Sequence, residues 1–481
     1  MKKLHPLLSV LFLISTLSGQ GWTRTFGGSS IDSGQSVQQT SDGGYIILGY
    51  TGSYGNVGYN FWLIKTDSEG IEEWNQIFDI GDIDYGLFVQ ETHDEGYILL
   101  GTTFSFLTDH SDVWLIKTDS QGEEEWNQTF GGSDDDFGNS VQQTTDGGYI
   151  IIGYTESYGN GDLDVWLIKT DSQGNEEWDQ TFGGSEIEYG SSIQQTTDDG
   201  YIITGSTKSY GNGDLDVWLI KTDSQGNEEW DQTFGGSQSD YGYSVKQIRD
   251  EGYVITGYTR SYEDDGEDDI HLIKTDPQGN ELWSQTFGGS EIDYGFSVEQ
   301  TTDDGYVITG STGSYGNGLS DIWLIKTDSQ GNEEWNQTFG GSENDTGTSV
   351  IQTTDGGYII IGNTMSFGNG VVDVWLIKTN SDGTLESFES SNNPYTFSLN
   401  QPYPNPFNPS TTLDFSIPFS DNVNIRVLDI VGREVDILMN EYLTNGNHRI
   451  EWNGQGHPSG IYFISFESGG FVETQKVVLM K

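Results

Sequence analysis

The sequence predicts an all-β chain: a seven-bladed β-propeller of four-stranded blades, followed by a small second β domain. Three observations predict it. One sentence of sequence is written seven times, each copy contains four strand-like runs, and one fourth-strand run stands alone at the N-terminus. A period near 50 residues with internal strand signals means a propeller or an array.

The marker tryptophans are Trp22, Trp74, Trp126, Trp178, Trp230, Trp283 and Trp335, 52 residues apart except for one step of 53. In one copy the four runs lie at 140–144, 149–155, 164–170 and 176–182. They are rich in Val, Ile, Thr, Tyr and Trp, and Gly, Asp and Asn sit between them. The turns supply the positive φ that tight hairpins need. No segment has a helical period of useful length. A single four-stranded sheet with two apolar faces cannot bury both, so copies must pack on one another. Radial packing does this and leaves only short edges.

Strand counting favours a closed ring. First, second and third strands each occur seven times, but Trp22-Thr23-Arg24-Thr25-Phe26 precedes any first strand. The expected eighth marker is missing, and Ser387 stands in its place. Residues 22–26 are therefore expected to complete the seventh blade beside 373–379.

The spacing Asp171, Gly174, Trp178 resembles the docking motif of quinoprotein-type propellers. The strings D-G-G-Y-I-I-x-G and D-V-W-L-I-K-T-D-x-x-G are similar to propeller repeats of secreted bacterial surface proteins. The resemblance implies architecture. Residues that would hold a quinone or metal in the quinoprotein enzymes are not recognisable, so that activity is not implied.

The two ends point to export. Met1-Lys2-Lys3 is a positive n-region, residues 7–17 are apolar, and Ser18-Gly19 offers small residues for cleavage. This reads as a secretory signal over 1–19, too short to span a membrane. No later segment is apolar enough to cross a bilayer. There is no cysteine, which excludes disulfides and thiol catalysis. After the propeller (20–388) and a linker (389–399) comes N-Q-P-Y-P-N-P-F-N-P at 400–409. It is followed by V-L-D-I-V-G-R-E-V at 427–435, S-G-I-Y-F-I at 459–464 and a terminal K-V-V-L-M-K. This region, 400–481, resembles the C-terminal sorting domain of the type IX secretion system of Bacteroidetes-like bacteria. The resemblance implies an Ig-like β-sandwich, a partner in that secretion machinery, and a destination outside or on the outer membrane of a Gram-negative cell. Alternation in Asn424-Ile425-Arg426-Val427-Leu428 independently reads as a half-buried strand.

Lys and Arg number 19 against 75 Asp and Glu, a net charge of −56. Such a surface repels nucleic acid and anionic lipid. It suits solubility, divalent cations or a basic partner. One lysine recurs per copy (Lys65, Lys117, Lys169, Lys221, Lys274, Lys326, Lys378) and is expected to pair with neighbouring acids.

The loops joining fourth to first strands and second to third strands share one face. The first type carries an acid in every copy: Asp32, Asp84, Asp136, Glu188, Asp240, Asp293 and Asp345. The second carries an aromatic (Tyr54, Phe106, Tyr158, Tyr210, Tyr262, Tyr315, Phe367). It closes in six copies with an acid (Asp112, Asp164, Asp216, Asp269, Asp321, Asp373). One face is thus expected to present acids and aromatics, suited to a glycan or a protein ligand. Oxygen-only groups suit calcium. The candidate calcium ligands are Asp136 and the acidic stretch containing Asp264, Asp265, Asp268 and Asp269. The structural alternative is that the acids cap turns and the aromatics wedge between blades.

Catalysis has little support. The histidines His5, His93, His110, His271, His448 and His457 form no recognisable triad or metal set. Two function classes stay open: a non-enzymatic surface binding or scaffold protein, and a secreted polysaccharide-degrading enzyme of paired carboxylates.

Overall fold

Runs of Val, Ile and Thr broken by Asp-Gly turns fold back on themselves as antiparallel meanders. The computed structural model describes residues 21–56, 58–262, 267–385, 398–417, 421–443, 446–468 and 471–481. The expected signal at 1–19 and nearly all of the linker lie outside them. The chain divides into two compact units, one ending at Glu386 and one beginning at Ser387.

The first unit contains seven four-stranded antiparallel sheets. In the third, the strands are Asp136–Gln143, Tyr149–Thr155, Asp164–Thr170 and Glu176–Phe182. The first strand starts four residues earlier than the sequence suggested. The acid-x-Gly segment continues the ladder through a bulge between Gly138 and Ser140, which lets one extra residue sit unpaired. The seventh sheet takes its fourth strand from the other end of the chain. Trp22–Phe26 runs antiparallel to Asp373–Thr379, from Trp22 opposite Lys378 to Phe26 opposite Val374.

The sheets bury their faces against one another, giving seven apolar layers each shared by two neighbours. One layer joins Ile150, Leu167 and Phe182 of the third sheet to Ile203 and Trp218 of the fourth. Another joins Val37 and Trp62 of the first to Ile361 and Leu376 of the seventh. A marker tryptophan sits in each. Trp126, on the outer strand of the second sheet, lies over Gly174 in the third and 5.8 Å from the Tyr149 ring. Gly174 has φ +76°, and a Cβ there would stand 2.5 Å from the indole. Any side chain would be strained and would push the tryptophan out. The same joint recurs around the ring, and Trp22 makes it with Gly70 and Tyr45.

The seven first strands line a central channel. Near its far end runs a belt of hydrogen bonds between neighbours. The side-chain oxygen of Gln39 accepts from Thr354 N–H, Glu91 from Ser41, Gln143 from His93, and Gln195 from Thr145. Gln247 accepts from Thr197, Gln300 from Arg249 and Gln352 from Thr302, all at 2.8–3.0 Å.

The recurring lysine is buried in every blade but the fifth. Lys169 donates to the Thr170 carbonyl at 2.8 Å and contacts Asp146 at 3.1 Å and Glu177 at 3.3 Å. Burial opposes ionisation of the equivalent Asp42. The Thr40 hydroxyl, Lys65 and the Gly44 N–H overcome it and bring the Asp42 pKa down to about 2. In the fifth sheet Leu282 replaces the glutamate, and Lys274 keeps Asp250, at 2.7 Å.

The second unit contains a three-stranded and a four-stranded sheet. Their inner faces share one core, including Phe415, Ile425, Trp452, Ile464 and Phe466. Two antiparallel sheets over a common core make a β-sandwich.

One turn position tests the backbone argument. Gly43, Gly147 and Gly356 occupy the left-handed region after the first strand, and Glu95, Asp199, Glu251 and Asp304 hold the same conformation at φ +66°. A side chain there costs about 1 kcal/mol or more. Glu251→Gly is expected to raise unfolding stability by about 0.5–1 kcal/mol in a urea titration, the usual scale of such backbone changes. An unchanged midpoint would mean that the turn is unstrained.

Candidate functional site

The first-strand acids do not face solvent. Asp32, Asp84, Asp136, Glu188, Asp240, Asp293 and Asp345 are all 0 % exposed. Asp136 accepts from Gly132 N–H at 2.7 Å, from the Ser157 hydroxyl at 2.8 Å and from the Thr155 hydroxyl. Asp32, Asp240, Asp293 and Asp345 take the equivalent glycine and serine donors at 2.6–3.0 Å. The expected outward ring of acids is an internal one. In every blade but the second, where Asp84 takes its bonds from Ile80 and Gly81 of the entering loop, the carboxylate ties the loop entering the first strand to the loop leaving the second, because a buried acceptor must find donors.

The loop aromatics lie over this arrangement. The Tyr158 hydroxyl donates to the Gly131 carbonyl at 2.9 Å, and its ring sits 5.2 Å from Trp166. Tyr54, Tyr210 and Tyr315 repeat both contacts. Tyr262 covers His271, which replaces the tryptophan in the fifth blade. Burial holds the His271 pKa down to about 4, so its ring is neutral.

The third-strand acids face the first-strand acid of the next blade across a glycine. A Cβ on Gly27 would collide with Asp373 and reach Asp32 at 3.0 Å. Burial raises the pKa of Asp112, Asp216, Asp321 and Asp373, and the carboxylate opposite adds to it. The first blade departs in a matched way. Asp79 stands where other junctions have the glycine, and Asn60 replaces the third-strand acid. A neutral amide there avoids a third negative charge.

Of the acidic stretch, Asp264 and Asp265 lie outside the described residues. Asp268 is buried and paired with Arg260 through two bonds of 2.8 and 2.9 Å. Asp269 fills the third-strand position of its blade. Among the described residues, no three His, Asp or Glu side chains gather as a metal set.

The channel mouth holds the residues that sequence reasoning missed. Between each first-strand acid and the following glycine lies one variable position: Ser33, Tyr85, Phe137, Tyr189, Tyr241, Tyr294 and Thr346. Across the ladder stand Tyr50, Thr102, Tyr154, Ser206, Tyr258, Ser311 and Asn363. These pairs form a collar of half-buried aromatic rings and smaller, mostly buried polar residues, aromatic over most of its circumference and polar at the seventh blade. The sequence signal was available, since this position varies between two fixed residues. Below the collar the bulge residues include Tyr243 and Phe296 in the fifth and sixth blades only. Gln35, Leu87, Asn139, Ser191 and Thr348 occupy the other five. A cavity of about 640 Å³ lies in the channel, bounded by Leu87, Phe88, Tyr243, Lys246, Phe296, Glu299 and Asn363. A second, of about 540 Å³, opens in the sixth blade against Ile292, Tyr294, Ser311, Leu319 and Ser320. Both have the size of ligand sites.

The second unit has its own identity. Its sequence over residues 401–480 matches the family described as the secretion system C-terminal sorting domain. Residues 401–480 form a secretion system sorting domain. The sorting domain occupies the β-sandwich and leaves the propeller to whatever the exported protein does. The chain is similar in structure to PorZ, a surface component of the type-IX secretion system of Porphyromonas gingivalis. Identity is 11%, coverage is 92% of this chain and 69% of that one, and the TM-score is 0.31. It is also similar to the WD40 domain of Neurospora crassa Pan2 (9% identity, 73% and 89% coverage, TM-score 0.44). A third likeness is to the propeller domain of the Trilobed protease from Pyrococcus furiosus (8%, 76% and 100%, 0.42). No curated protein matches the chain in sequence. Among the described residues, no helix is long and apolar enough to cross a membrane.

The facing acids make stability depend on pH in a defined direction. Asp321 has a raised folded-state pKa, caused first by burial and then by Asp345. The folded protein therefore holds that proton more tightly than the unfolded chain, and stability falls as pH rises above about 4. Asp321→Asn, the amide that Asn60 already uses, is expected to raise the melting temperature at pH 7 and to leave it unchanged near pH 3. Equal gains at both pH values would show that the facing charges are not the cause.

Proposed function

We propose that the chain is a non-enzymatic binding protein displayed on the surface of a Gram-negative cell. Its propeller, latched by the strand Trp22–Phe26, carries the ligand site at the channel mouth. The type IX secretion system exports it by way of the sorting domain. The observation that carries the reading is where the repeat is broken. A fold needs the same residues in every blade, whereas a site needs difference, and the collar and the bulge residues below it differ from blade to blade yet form one connected set of side chains.

Binding rather than hydrolysis is supported by the use made of the repeat carboxylates. They are buried and spent on backbone N–H and hydroxyl donors beneath the loops. Glycoside hydrolysis needs two carboxyls flanking the scissile bond in the cleft. Calcium is not needed for this reading, because the acid at Asp136 already has three protein donors.

Export and binding should separate cleanly, since the two units have separate cores. A chain lacking residues 401–481 is expected to fold and to accumulate in the periplasm, with surface protease cleavage reduced at least about tenfold. Cell fractionation checks it. Surface display at the level of the full chain would overturn the export assignment.

A further inference from the structure

The binding reading leaves open where on the collar a ligand sits and what it is. We infer that the fifth and sixth blades form a subsite for a linear, neutral polysaccharide, a proposal that rests on that reading. The rings make a continuous path. Tyr294 lines the sixth-blade cavity and lies 5.8 Å from Phe296, which lines the channel. Phe296 is 5.2 Å from Tyr243, and Tyr243 is 5.8 Å from Tyr258. Tyr258 returns to Tyr294 at 4.8 Å. Two cavities joined by aromatic rings suit a chain of several units better than a single small molecule.

A one-off buried network orients this path. Asp268, its side chain only 2 % exposed, receives both bonds from Arg260 and a third from the Tyr294 hydroxyl at 3.2 Å. The other blades carry Tyr59, Ser111, Leu163, Leu215, Ser320 and Val372 at the Asp268 position. The fold therefore does without it. A buried carboxylate is costly unless paired, and here its partners fix the edge of an aromatic wall. Such support is what a recognition site needs from its surroundings.

The chemistry points to a neutral sugar chain. Tyrosine offers an apolar face and a polar tip, and the lining hydroxyls of Ser311 and Ser320 can both donate and accept, as sugar hydroxyls require. A proline-rich peptide, which also favours aromatic grooves, lacks the backbone donors to match them. The net charge of −56 opposes polyanions.

The test is calorimetric titration of the full secreted chain with linear β-1,4-glucan and β-1,4-xylan hexasaccharides. A proline-rich decapeptide and oligogalacturonate are run beside them. The wild type is expected to bind a neutral hexasaccharide. Tyr294→Ala and Tyr243→Ala are expected to weaken binding at least about tenfold, the scale of a lost aromatic anchor. Phe106→Ala, at the exposed tip of the second blade, should change it less than about twofold. Asp268 is a positioning residue. Asp268→Asn and Tyr294→Phe should each weaken binding, and together no more than either alone, with melting temperatures checked for each variant. Preference for the peptide or the polyanion overturns the proposal, as does Tyr294→Ala binding like the wild type. If no hexasaccharide binds while the chain still captures another cell-surface component, this inference fails and the binding reading stands. Release of reducing ends would instead overturn the non-enzymatic reading.

Discussion

A tryptophan resting on a glycine holds this propeller together. The indole of one blade covers the turn glycine of the next, and a tyrosine ring from that second blade flanks it. The contact works only because the glycine has no side chain and can take a positive φ. Repeated at each blade boundary, it makes every blade depend on its neighbour. Trp22 is what makes the seventh boundary like the rest, and it comes from the opposite end of the repeat sequence. The glutamine belt around the channel reports the same neighbour dependence in hydrogen bonds.

Charge is managed by the same repetition. A chain with 56 excess negative charges could not bury acids at random. Each buried first-strand carboxylate is given backbone and hydroxyl donors, and each buried lysine has a carbonyl and at least one acid, most having two. The facing acids at the junctions are the exception, held together by packing and at an electrostatic cost. The Asn60 and Asp79 substitutions show the chain relieving that cost where the glycine is gone.

Against so regular a background, departures stand out. The fifth blade has His271 for tryptophan, Leu282 for glutamate, Arg260 with Asp268, and Lys246 facing the channel beside Glu299 of the sixth. Its neighbour supplies Tyr294 and Phe296. Of these, Arg260 with Asp268, Lys246, Tyr294 and Phe296 add nothing that the other blades need for folding, and they gather on one side of the channel.

The sequence by itself determined the strand pattern, the seven copies and the sorting domain, because each is written in local spacing. Asp-Gly turns, period-two apolar runs and the marker tryptophans leave few ways to fold. It also singled out the loop acids as candidates, since they recur, but recurrence alone cannot separate a buried staple from an exposed ligand set. Only the tertiary structure decided that Asp32 and its equivalents point inward to donors from two loops. Only it brought Tyr243, Tyr258, Tyr294 and Asp268, far apart in the repeat grammar, to one place. A collar around a channel is made by curvature, and curvature comes from how whole blades pack, which no single repeat encodes.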